Sequence, residues 1–506
     1  MNTISKYLLS ITALILITSC GNNNNSNNSG AMSSSKAEKV YVAPGEHDEY
    51  YAFMSGGYSG NLTVYGLPSG RMLKEIPVFS QFPTSGYGYS EETKPMLNTS
   101  FGFVPWGDAH HPDISQTNGE LDGRWIFINE NNTPRIARIS LETFETEEII
   151  ELPNSAGNHA SSFVTENTEY IVAGTRFAVP NPQRDMPINE MKGQFKGPLS
   201  FVSIADNGRL NLEFQLNMPG FNYDLAHPGR NKSHGWFFFT SYNTEEANTL
   251  MEVNASQNDK DYIAAVNWQK IVDYVKNGGG EKVAGTYAHN VYDEKTHTAT
   301  STMKEGIISV NPKDVEGAVF YIPIPKSPHG CDVDPSGEYI IGSGKLSTDL
   351  SVYSFEKMLT AIENKDFVDD SYGIPVLSYE NTIAGVVTQP GLGPLHTEFD
   401  GQGNAYTTFF ISSEVVKWRL GTWEILDRQP TFYSVGHLMI PGGNSRKPFG
   451  KYMVAMNKIT KDRYLPTGPE LEHSAQLYDI SGDKMELLSD FPTHGEPHYA
   501  AGIRAD

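Results

Sequence analysis

Cysteine is nearly absent from this chain. The 506 residues contain two cysteines, Cys20 and Cys331, and Cys20 lies at the end of an N-terminal apolar run. The one remaining thiol cannot form an internal disulfide framework or a cysteine-rich metal site. Cys331 lies two residues after His329 and could be a ligand, although a buried structural thiol is the stronger interpretation. Any metal site in this protein must therefore rely mainly on other side chains.

Basic residues are scarce relative to acidic ones. Lys and Arg number 38 against 60 Asp and Glu, which gives a formal net charge of −22. Such a surface repels nucleic acid and anionic lipid, so neither is expected as a partner. An acidic face would suit a basic redox partner, although acidity is also a common way to keep a protein soluble.

Long apolar runs are missing beyond the first twenty residues. Lys6 precedes an apolar stretch, Leu8 to Ile17, that is too short to span a membrane. It ends at Ile17-Thr18-Ser19-Cys20, which resembles a bacterial lipobox, so residues 1–20 are interpreted as a lipoprotein signal peptide with Cys20 as the lipidated residue. Residues 21–39, rich in Asn and Ser at their start, predict a disordered tether. We therefore expect export to the periplasm, with membrane attachment only through a lipid anchor.

Helical periodicity is also scarce, and it is confined to two short segments. Trp268 to Lys276 and Ser354 to Asn364 each place apolar residues on one face and carry a start or stop signal. The rest of the chain consists of short alternating or β-branched runs separated by turn residues. Hairpin turns are predicted at Asp122-Gly123, Asn207-Gly208, Pro335-Ser336-Gly337 and Gly401-Gln402-Gly403-Asn404.

An acidic turn, followed by a strand and a second apolar run, recurs along the chain. Copies begin at Leu121, Val333 and Phe399, and the spacing of about 60 residues is typical of β-propeller blades. Residues 40–506 would accommodate about seven such blades. A large β-sandwich would show the same turns without recurring histidine loops. The predicted fold is therefore all-β, a single seven-bladed β-propeller over residues 40–506.

The chain is also unusual in where its histidines lie. Seven of the fourteen lie in tight frames of Gly, Pro and Asn: His110, His111, His159, His329, His396, His437 and His498. Gly and Pro fix backbone conformations, and the innermost strands of a propeller surround one channel, so these side chains are expected to converge. Seven neutral imidazoles exceed the needs of one ion. They predict several metals sharing one site, and all-nitrogen ligation suits copper, zinc, iron or nickel.

Longer motifs resemble nitrous oxide reductase from about residue 40 to the end of the chain. They are DxHHP (Asp108–Pro112), SPHGC (Ser327–Cys331), GLGPLHTxFDGxGNAYT (Gly391–Thr407), VVKW (Val415–Trp418), GHL (Gly436–Leu438), KDRxLPxGP (Lys461–Pro469) and EPH (Glu496–His498). The signal without twin arginines looks like the Sec-exported branch of that family. The resemblance implies that the seven histidines hold CuZ, a tetranuclear copper–sulfide cluster. It also implies the denitrification reaction, in which N2O, two electrons and two protons give N2 and water.

The resemblance also implies roles for other residues. Lys417 matches a lysine beside the cluster that can stabilise developing negative charge. Glu496 and Asp108, each two residues before a ligand histidine, match carboxylates that orient imidazoles and could relay protons. The other seven histidines are not expected to be ligands: His47, His227, His234, His289, His297, His473 and His494.

Calcium is a further cofactor that the resemblance implies. Tyr242 and Glu245 match the family's calcium loop, with Asp261 as the later ligand and Asp259 as its competitor. A second calcium site would use the carbonyl of Lys458, but His473 stands where the family has a glutamate.

The family also carries a C-terminal cupredoxin domain with a dinuclear CuA centre. No cysteine follows Cys331, so CuA is not possible on this chain. We expect either that the chain is a fragment of a longer protein or that electrons arrive from another chain. The expected partners are N2O, a periplasmic c-type cytochrome or cupredoxin as electron donor, and a second copy in a homodimer. A non-catalytic propeller lipoprotein that binds a ligand or acts as a scaffold, and another periplasmic copper oxidoreductase, remain as alternatives.

Overall fold

The computed structural model describes residues 35–160, 162–187, 190, 194–244, 261–432, 434–458 and 473–505, with the backbone alone at 242–244. The predicted signal peptide, Cys20 and residues 21–34 of the predicted tether lie outside these ranges. The last tether residues form part of a short helix, α1 (Lys36–Val40), and Lys39 pairs with Glu486 at 2.6 Å, so the tether boundary at residue 39 was placed too late. No helix in the described ranges is long and apolar enough to cross a membrane.

The described strands include seven antiparallel groups of four. The first group contains β1 (Tyr50–Ser55), β2 (Asn61–Leu67), β3 (Met72–Pro77) and, from the far end of the chain, β35 (Ala500–Arg504). The second contains β6 (Ala109–Thr117), β7 (Glu120–Glu130), β8 (Arg135–Ser140) and β9 (Glu145–Glu151). The third contains β10 (Ala156–Ala160), β11 (Tyr170–Phe177), β13 (Phe195–Ile204) and β14 (Leu210–Pro219).

The remaining four groups follow in chain order. The fourth contains β15 (Phe221–Pro228), β16 (Trp236–Thr244), β17 (Tyr262–Asn267) and β20 (Val319–Pro323). The fifth contains β21 (Pro328–Val333), β22 (Tyr339–Gly344), β23 (Leu350–Ser354) and β26 (Ile383–Val387). The sixth contains β27 (Pro394–Phe399), β28 (Asn404–Phe409), β29 (Glu414–Arg419) and β30 (Ile425–Pro430). The seventh contains β31 (Val435–Met439), β32 (Tyr452–Asn457), β33 (Ser474–Asp479) and β34 (Glu486–Pro492).

The innermost strands of these groups form a closed ring. Contacts run from β10 to β15, β21, β27, β31 and β35 in turn, and β35 then contacts β6. His111 Nδ1 of β6 lies 2.8 Å from the His159 carbonyl oxygen of β10, which closes the ring. The last strand, β35, pairs antiparallel with β1, so the two ends of the folded chain close one sheet. This arrangement confirms the predicted β-propeller, and seven blades stays a prediction that the seven groups favour.

Apolar packing lies between adjacent groups. In the described chain, seven clusters of buried side chains each join two neighbouring groups. Removing apolar surface from water at each of these contacts stabilises the ring. Cys331 is part of one such cluster, and its buried thiol faces the Phe238 carbonyl oxygen at 3.2 Å, which is the surrounding of a structural cysteine.

A long hairpin, β18 (Glu281–Asp293) and β19 (Thr298–Val310), leaves the fourth group and joins two others. β18 pairs with β9 at the edge of the second group, and β19 pairs with β14 at the edge of the third. Smaller additions are β4 (Asn98–Thr99) paired with β5 (Gly102–Phe103), β12 (Val179–Pro180) on β13, and β24 (Phe367–Ser371) paired with β25 (Ile374–Leu377). Among the described residues, 3₁₀ turns cover Lys94–Leu97, Asn231–Ser233 and Pro312–Asp314.

The two predicted helices are present. They are α2 (Trp268–Lys276) and α3 (Phe355–Asn364), each begun by a side chain that accepts from the backbone, Asn267 and Ser354. A fourth short helix, α4, covers Tyr379–Thr382.

Three of the four predicted hairpin turns lie between paired strands, but the turn at Asp122-Gly123 was wrong. These two residues lie inside β7, and the turn is at Asn118 and Gly119, both with positive φ. A two-residue hairpin of this kind needs positive φ at both positions, which Asn and Gly accept most readily.

Candidate metal centre

Six of the described innermost strands carry a break in register near their start. The breaks lie at Ala109/Pro112, Asn158/Ala160, Tyr223/Ala226, Pro328/Cys331, Pro394/Thr397 and Val435/Leu438. A break of this kind leaves residues without a ladder partner and redirects their side chains. Five of the six enclose a predicted ligand histidine, and His498 lies two residues before the last innermost strand, β35. The local backbone therefore aims these imidazoles away from their own sheets and into the channel.

The seven histidines lie together. Ring centroids are 3.6 Å apart for His110 and His498, and 4.9 Å apart for both His110 with His159 and His329 with His437. His437 also lies 5.3 Å from both His396 and His498 and 5.4 Å from His111, so the network includes all seven side chains. Each of them is at least 94 % buried. The predicted convergence is therefore what the structure shows.

The chemistry of this set suits a metal cluster. Nitrogen atoms of His110, His159 and His498 lie within 4.8 Å of one another, and so do those of His111, His437 and His498. Burial holds the pKa values of His111, His159, His437 and His498 well below their usual value, which keeps these imidazoles neutral. His111 Nε2 and His437 Nδ1 are buried without a hydrogen-bond partner. Neutral imidazoles with unpartnered nitrogens are what a metal ion requires.

Carboxylates lie behind several of these histidines. Asp108 and Glu496, predicted to orient imidazoles, have an oxygen 3.4 Å from His110 Nδ1 and 3.3 Å from His498 Nδ1. An oxygen partner on one ring nitrogen fixes the orientation of the ring and leaves the other nitrogen for a metal. The geometry therefore supports their predicted positions.

Asp224 is a third such carboxylate, and the sequence interpretation missed it. It lies within the register break of β15, where the other innermost strands carry a histidine. Its Oδ2 is 2.6 Å from His329 Nδ1, and its backbone oxygen contacts His159 Nδ1. Burial alone would raise its pKa, but Lys345, His329 and Arg176 hold the pKa of this carboxyl well below its usual value. The sequence feature that could have identified Asp224 is its position in the frame Asp224-Leu225-Ala226-His227-Pro228, three residues before a histidine.

The predicted lysine is not at the cluster. Lys417 lies in the middle of β29, and its Nζ donates to the backbone oxygens of Gly482 and Asp483 at 3.0 and 3.3 Å. The contacts found for it in the described chain include no histidine, which corrects its assignment as the residue beside the cluster. Lys458 occupies that position instead, with Nζ 3.3 Å from His498 Nε2. Burial lowers the pKa of Lys458 to about 8, against the raising influence of Glu496, Asp224 and Asp108.

Gly436 allows Lys458 to reach the cluster. A Cβ at this position, beside His437, would collide with the Lys458 side chain. The glycine in the Gly436-His437-Leu438 frame is thus needed for a close approach, in addition to any turn geometry.

Aromatic side chains form the floor of the site. Phe163 and Tyr499, with Leu225, make a separate buried cluster beneath the histidines. The Phe163 ring stacks between His111 at 5.8 Å and His227 at 5.6 Å. His227 therefore lies on the far side of this floor from the ligand set.

The predicted calcium residues lie partly outside the described chain. Glu245, Asp259 and the Tyr242 side chain are not described. Asp261 is buried, and its Oδ2 accepts from the Ser327 backbone N–H at 2.9 Å, next to the His329 loop. Lys458 contacts the histidine site as above, and calcium stays a prediction.

His494 was the least certain exclusion from the ligand set, because it is close in sequence to His498. Its side chain is 54 % exposed and pairs with Glu75 at 2.9 Å, at the protein surface. His473 packs beside Tyr58, with ring centroids 6.1 Å apart.

Comparison with known proteins now identifies the family. The profile of the nitrous oxide reductase propeller repeat matches residues 428–498. Nitrous-oxide reductase of Stutzerimonas stutzeri is 34 % identical over 491 residues, covering 94 % of this chain and 71 % of that protein. The chain belongs to the nitrous-oxide reductase family. The enzymes of Pseudomonas fluorescens and Cupriavidus necator are 33 % and 32 % identical, over 94 % and 91 % of this chain and 71 % and 69 % of theirs.

Membership of this family makes the protein one of a group of oxidoreductases, as the sequence motifs predicted. It also implies copper, and the histidine cluster fits copper because its donors are all imidazole nitrogens. Asp224 and Tyr499 join the site in addition to the predicted residues, and Lys458, predicted as a calcium ligand, lies beside His498.

Proposed function

We propose that this protein reduces N2O to N2 and water at a copper–sulfide cluster, CuZ, held by the seven histidines. The observation that supports this most strongly is the convergence of seven buried imidazoles, from six different strand groups, in a chain of the nitrous-oxide reductase family. When bound, a cluster of several coppers supplies both electrons to one neutral substrate, which a single copper(I) ion cannot do.

The chain's own residues would hold and orient that cluster. Asp108, Asp224 and Glu496 set the planes of His110, His329 and His498 through their Nδ1 atoms. Because these carboxylates are partly or fully buried, water competes little for their hydrogen bonds. The histidines therefore keep their positions before any metal arrives, which lowers the cost of binding.

Lys458 would supply positive charge at the edge of the site. Its ammonium group lies beside His498, with Nζ 3.3 Å from His498 Nε2. A preorganised cation stabilises negative charge as it develops on oxygen when the N–O bond breaks. Glu496 and Asp108 lie close enough to Lys458 to influence its pKa, and they are the candidate groups for delivering the two protons.

The floor of Phe163, Leu225 and Tyr499 would keep bulk water from reaching the cluster through the far end of the channel. N2O is small and neutral, so we propose that it enters from the side that bears Lys458. Excluding water strengthens every electrostatic interaction within the site.

The remaining features of the proposal come from the motifs and from the family. They are seven blades, Sec-dependent export to the periplasm, a lipid anchor at Cys20, a calcium site that includes Asp261, a c-type cytochrome or cupredoxin as donor, and a homodimer.

The test is copper loading followed by turnover. The purified protein, reconstituted anaerobically with copper(I) and sulfide, should bind several coppers per chain and consume N2O with a reduced viologen dye. The same protein loaded with zinc should be inactive, because zinc has no redox chemistry. If the protein binds no copper, or binds it and consumes no N2O, the proposed function is wrong, and the first result would favour the scaffold alternative.

A further inference from the structure

His111 is oriented differently from the histidines that have a carboxylate behind them. Its Nδ1 lies 2.8 Å from the His159 carbonyl oxygen, and its Nε2 is buried without a hydrogen-bond partner, so Nε2 is the nitrogen left for a metal. A single hydrogen bond holds one edge of an imidazole, and the plane of the ring also depends on what packs against its faces. The direction in which Nε2 points is therefore set partly by packing.

Phe163 supplies that packing. Its ring lies nearly parallel to the His111 ring, with an interplanar angle of 23° and a centroid distance of 5.8 Å. The rings of His159, His437 and Tyr499 stand edge-on to His111 instead, at 86°, 69° and 89°. Offset stacking of two rings is a favourable geometry, and it restricts the tilt of both. The plane of His111 therefore depends on the plane of Phe163.

His227 covers the other face of Phe163. These two rings are 5.6 Å apart at an angle of 25°, so three rings form one stack through the floor of the site. The buried His227 ring has its Nδ1 2.9 Å from the Pro228 carbonyl oxygen and its Nε2 2.6 Å from Arg230 Nη2. Because a guanidinium can only donate, Nε2 accepts and Nδ1 carries the hydrogen. Burial and the Arg230 charge lower the pKa of His227 to about 3, in agreement with a neutral ring.

Arg230 anchors this stack at the end away from the ligand histidines. Its buried side chain donates to the carbonyl oxygens of Gly443 and Ser445 at 3.2 and 3.4 Å, in the loop between β31 and β32. Hydrogen bonds from a charged donor are stronger than those between neutral groups. The position of His227 is thus fixed from the seventh strand group, although His227 itself lies in the fourth.

We propose that His227 is a positioning residue that orients the ligand histidine His111 through the Phe163 ring. Held by Arg230, the His227 ring gives Phe163 a fixed surface to pack against. Phe163 in turn holds the plane of His111, so that Nε2 points at the other ligand histidines. This gives a role to a buried histidine outside the ligand set. The inference rests on the proposed function in one respect, that His111 binds copper.

Removing the His227 ring tests the proposal. In His227→Ala, Phe163 loses its support and His111 can tilt. We expect one copper(I) equivalent to bind about 10- to 100-fold more weakly, the usual effect of losing a group behind a metal ligand. The other equivalents should keep their affinity, because His111 offers one nitrogen and one nitrogen binds one ion. The measurement is a titration with copper(I) alone against a chelator of known affinity, with copper per chain counted by native mass spectrometry.

A second substitution tests whether His227 acts through Phe163. Phe163→Leu should weaken the same copper equivalent. The double variant should bind that copper at most about threefold more weakly than the weaker single variant, because residues in contact that act on one target are not additive. Independent effects would multiply instead. The control is Phe201→Leu, which breaks another stacked pair of buried rings, Phe201 and Phe214 at 4.3 Å, and should match wild type.

Folding of the variants is covered by a third substitution. If His227→Ala does not fold, His227→Leu takes its place with the same expectation, because Leu fills much of the space without a flat ring. If neither variant folds, Phe163→Leu decides, and copper binding equal to that of Phe201→Leu would overturn the role of the stack.

The outcomes distinguish this inference from the proposed function. If wild type binds no copper, the proposed function fails. The role of His227 is wrong, while the proposed function stands, if wild type binds copper and the His227 variant keeps the affinity of every equivalent. The same conclusion follows if the variant weakens all equivalents alike, or if the His227 and Phe163 substitutions act independently.

Discussion

The innermost strands carry opposite chemistry at their two ends. Near their starts, register breaks bring buried imidazoles together, and burial holds the pKa values of His111 and His437 well below their usual value. Past their ends, the loops carry charges that are paired. Glu166 accepts from Arg446 Nε at 2.6 Å and from the Asn231 backbone N–H at 2.9 Å, and Arg230 donates to the Gly443 carbonyl oxygen at 3.2 Å. One end leaves donor atoms available for a metal, and the other uses hydrogen-bonded charged groups to hold loops of different strand groups together.

The largest expected effect, on copper content and N2O reduction, comes from removing the histidine at the centre of the cluster. His437 contacts four other ligand histidines, so His437→Ala should remove most of the bound copper and abolish N2O reduction. The fold should persist, because the substitution removes one neutral side chain and leaves the apolar packing between the strand groups unchanged. Copper per chain, dye-driven N2O consumption and circular dichroism check this. His494→Ala is the control, and a variant that kept its copper would contradict the assignment of His437.

The next largest effect is on the dye-driven rate of N2O reduction, and it should differ between two buried lysines, Lys458 and Lys417. Lys458→Met should leave copper content unchanged and lower the dye-driven rate by about 10²–10³, the usual cost of losing one preorganised electrostatic group. Lys417→Met should leave the rate unchanged and destabilise the fold slightly, because Lys417 donates to the backbone oxygens of Gly482 and Asp483, away from the histidines. Initial rates at equal copper loading are the measurement. A rate loss in Lys417→Met and not in Lys458→Met would restore the original assignment.

A substitution at the end of the innermost strands away from the histidines should lower the stability of the fold and leave the metal site unchanged. Glu166→Gln removes the charge that Arg446 and His234 face, and should lower the free energy of unfolding by about 1.5–3 kcal/mol, the range for hydrogen bonds to charged groups. Copper content and rate should match wild type. Denaturant unfolding of the metal-free protein measures the first, and a loss of copper would show that the two ends are not independent.

The smallest effect is the pH dependence of that same contact. Hydrogen bonds with His234 and Arg446 outweigh burial and lower the pKa of Glu166 from its ordinary 4.5 to about 2, so its contribution is present above pH 4.5 and is lost as the pH falls toward 2. The hydrogen bond with Glu166 raises the pKa of His234 above its ordinary 6.5, so that contribution is present below pH 6.5 and is lost as the pH rises through the raised pKa. The difference in unfolding free energy between wild type and Glu166→Gln should therefore be greatest between pH 4.5 and 6.5. A difference that does not vary with pH would exclude ionisation as its origin.

The sequence predicted which histidines converge because the histidine frames coincide with the register breaks. Gly and Pro in a strand indicate an irregular backbone, and the fold then determines where those irregularities meet. The β-propeller followed from the repeated acidic turns. In the structure Asp334 and Asp400 accept from backbone N–H groups of their own turns, at 2.7 Å from Tyr339 and 2.8 Å from Gln402, which explains why an acidic residue recurs there.

The role beside the cluster was assigned to the wrong lysine because a sequence motif does not show how far a side chain lies from the histidines. In a four-stranded antiparallel group, the end of the second strand lies beside the start of the first. Lys458 directly follows the second strand of the seventh group, at the end of the sheet that bears His437, whereas Lys417 lies in the middle of a third strand. Asp224 and Tyr499 were missed for another reason: their roles depend on contacts with strands far away in the sequence, His329 and His396 among them.

The pairing of β35 with β1 determines when the metal site can exist during the life of the chain. His498 lies two residues before β35, the strand that completes the first sheet, so we expect it to reach the other histidines only as that sheet forms. A chain emerging N-terminus first therefore presents its other six ligand histidines long before the seventh. If all seven histidines bind copper, as proposed, we expect metal insertion only after the ring has closed, because a partly folded chain offers copper an incomplete set of histidines.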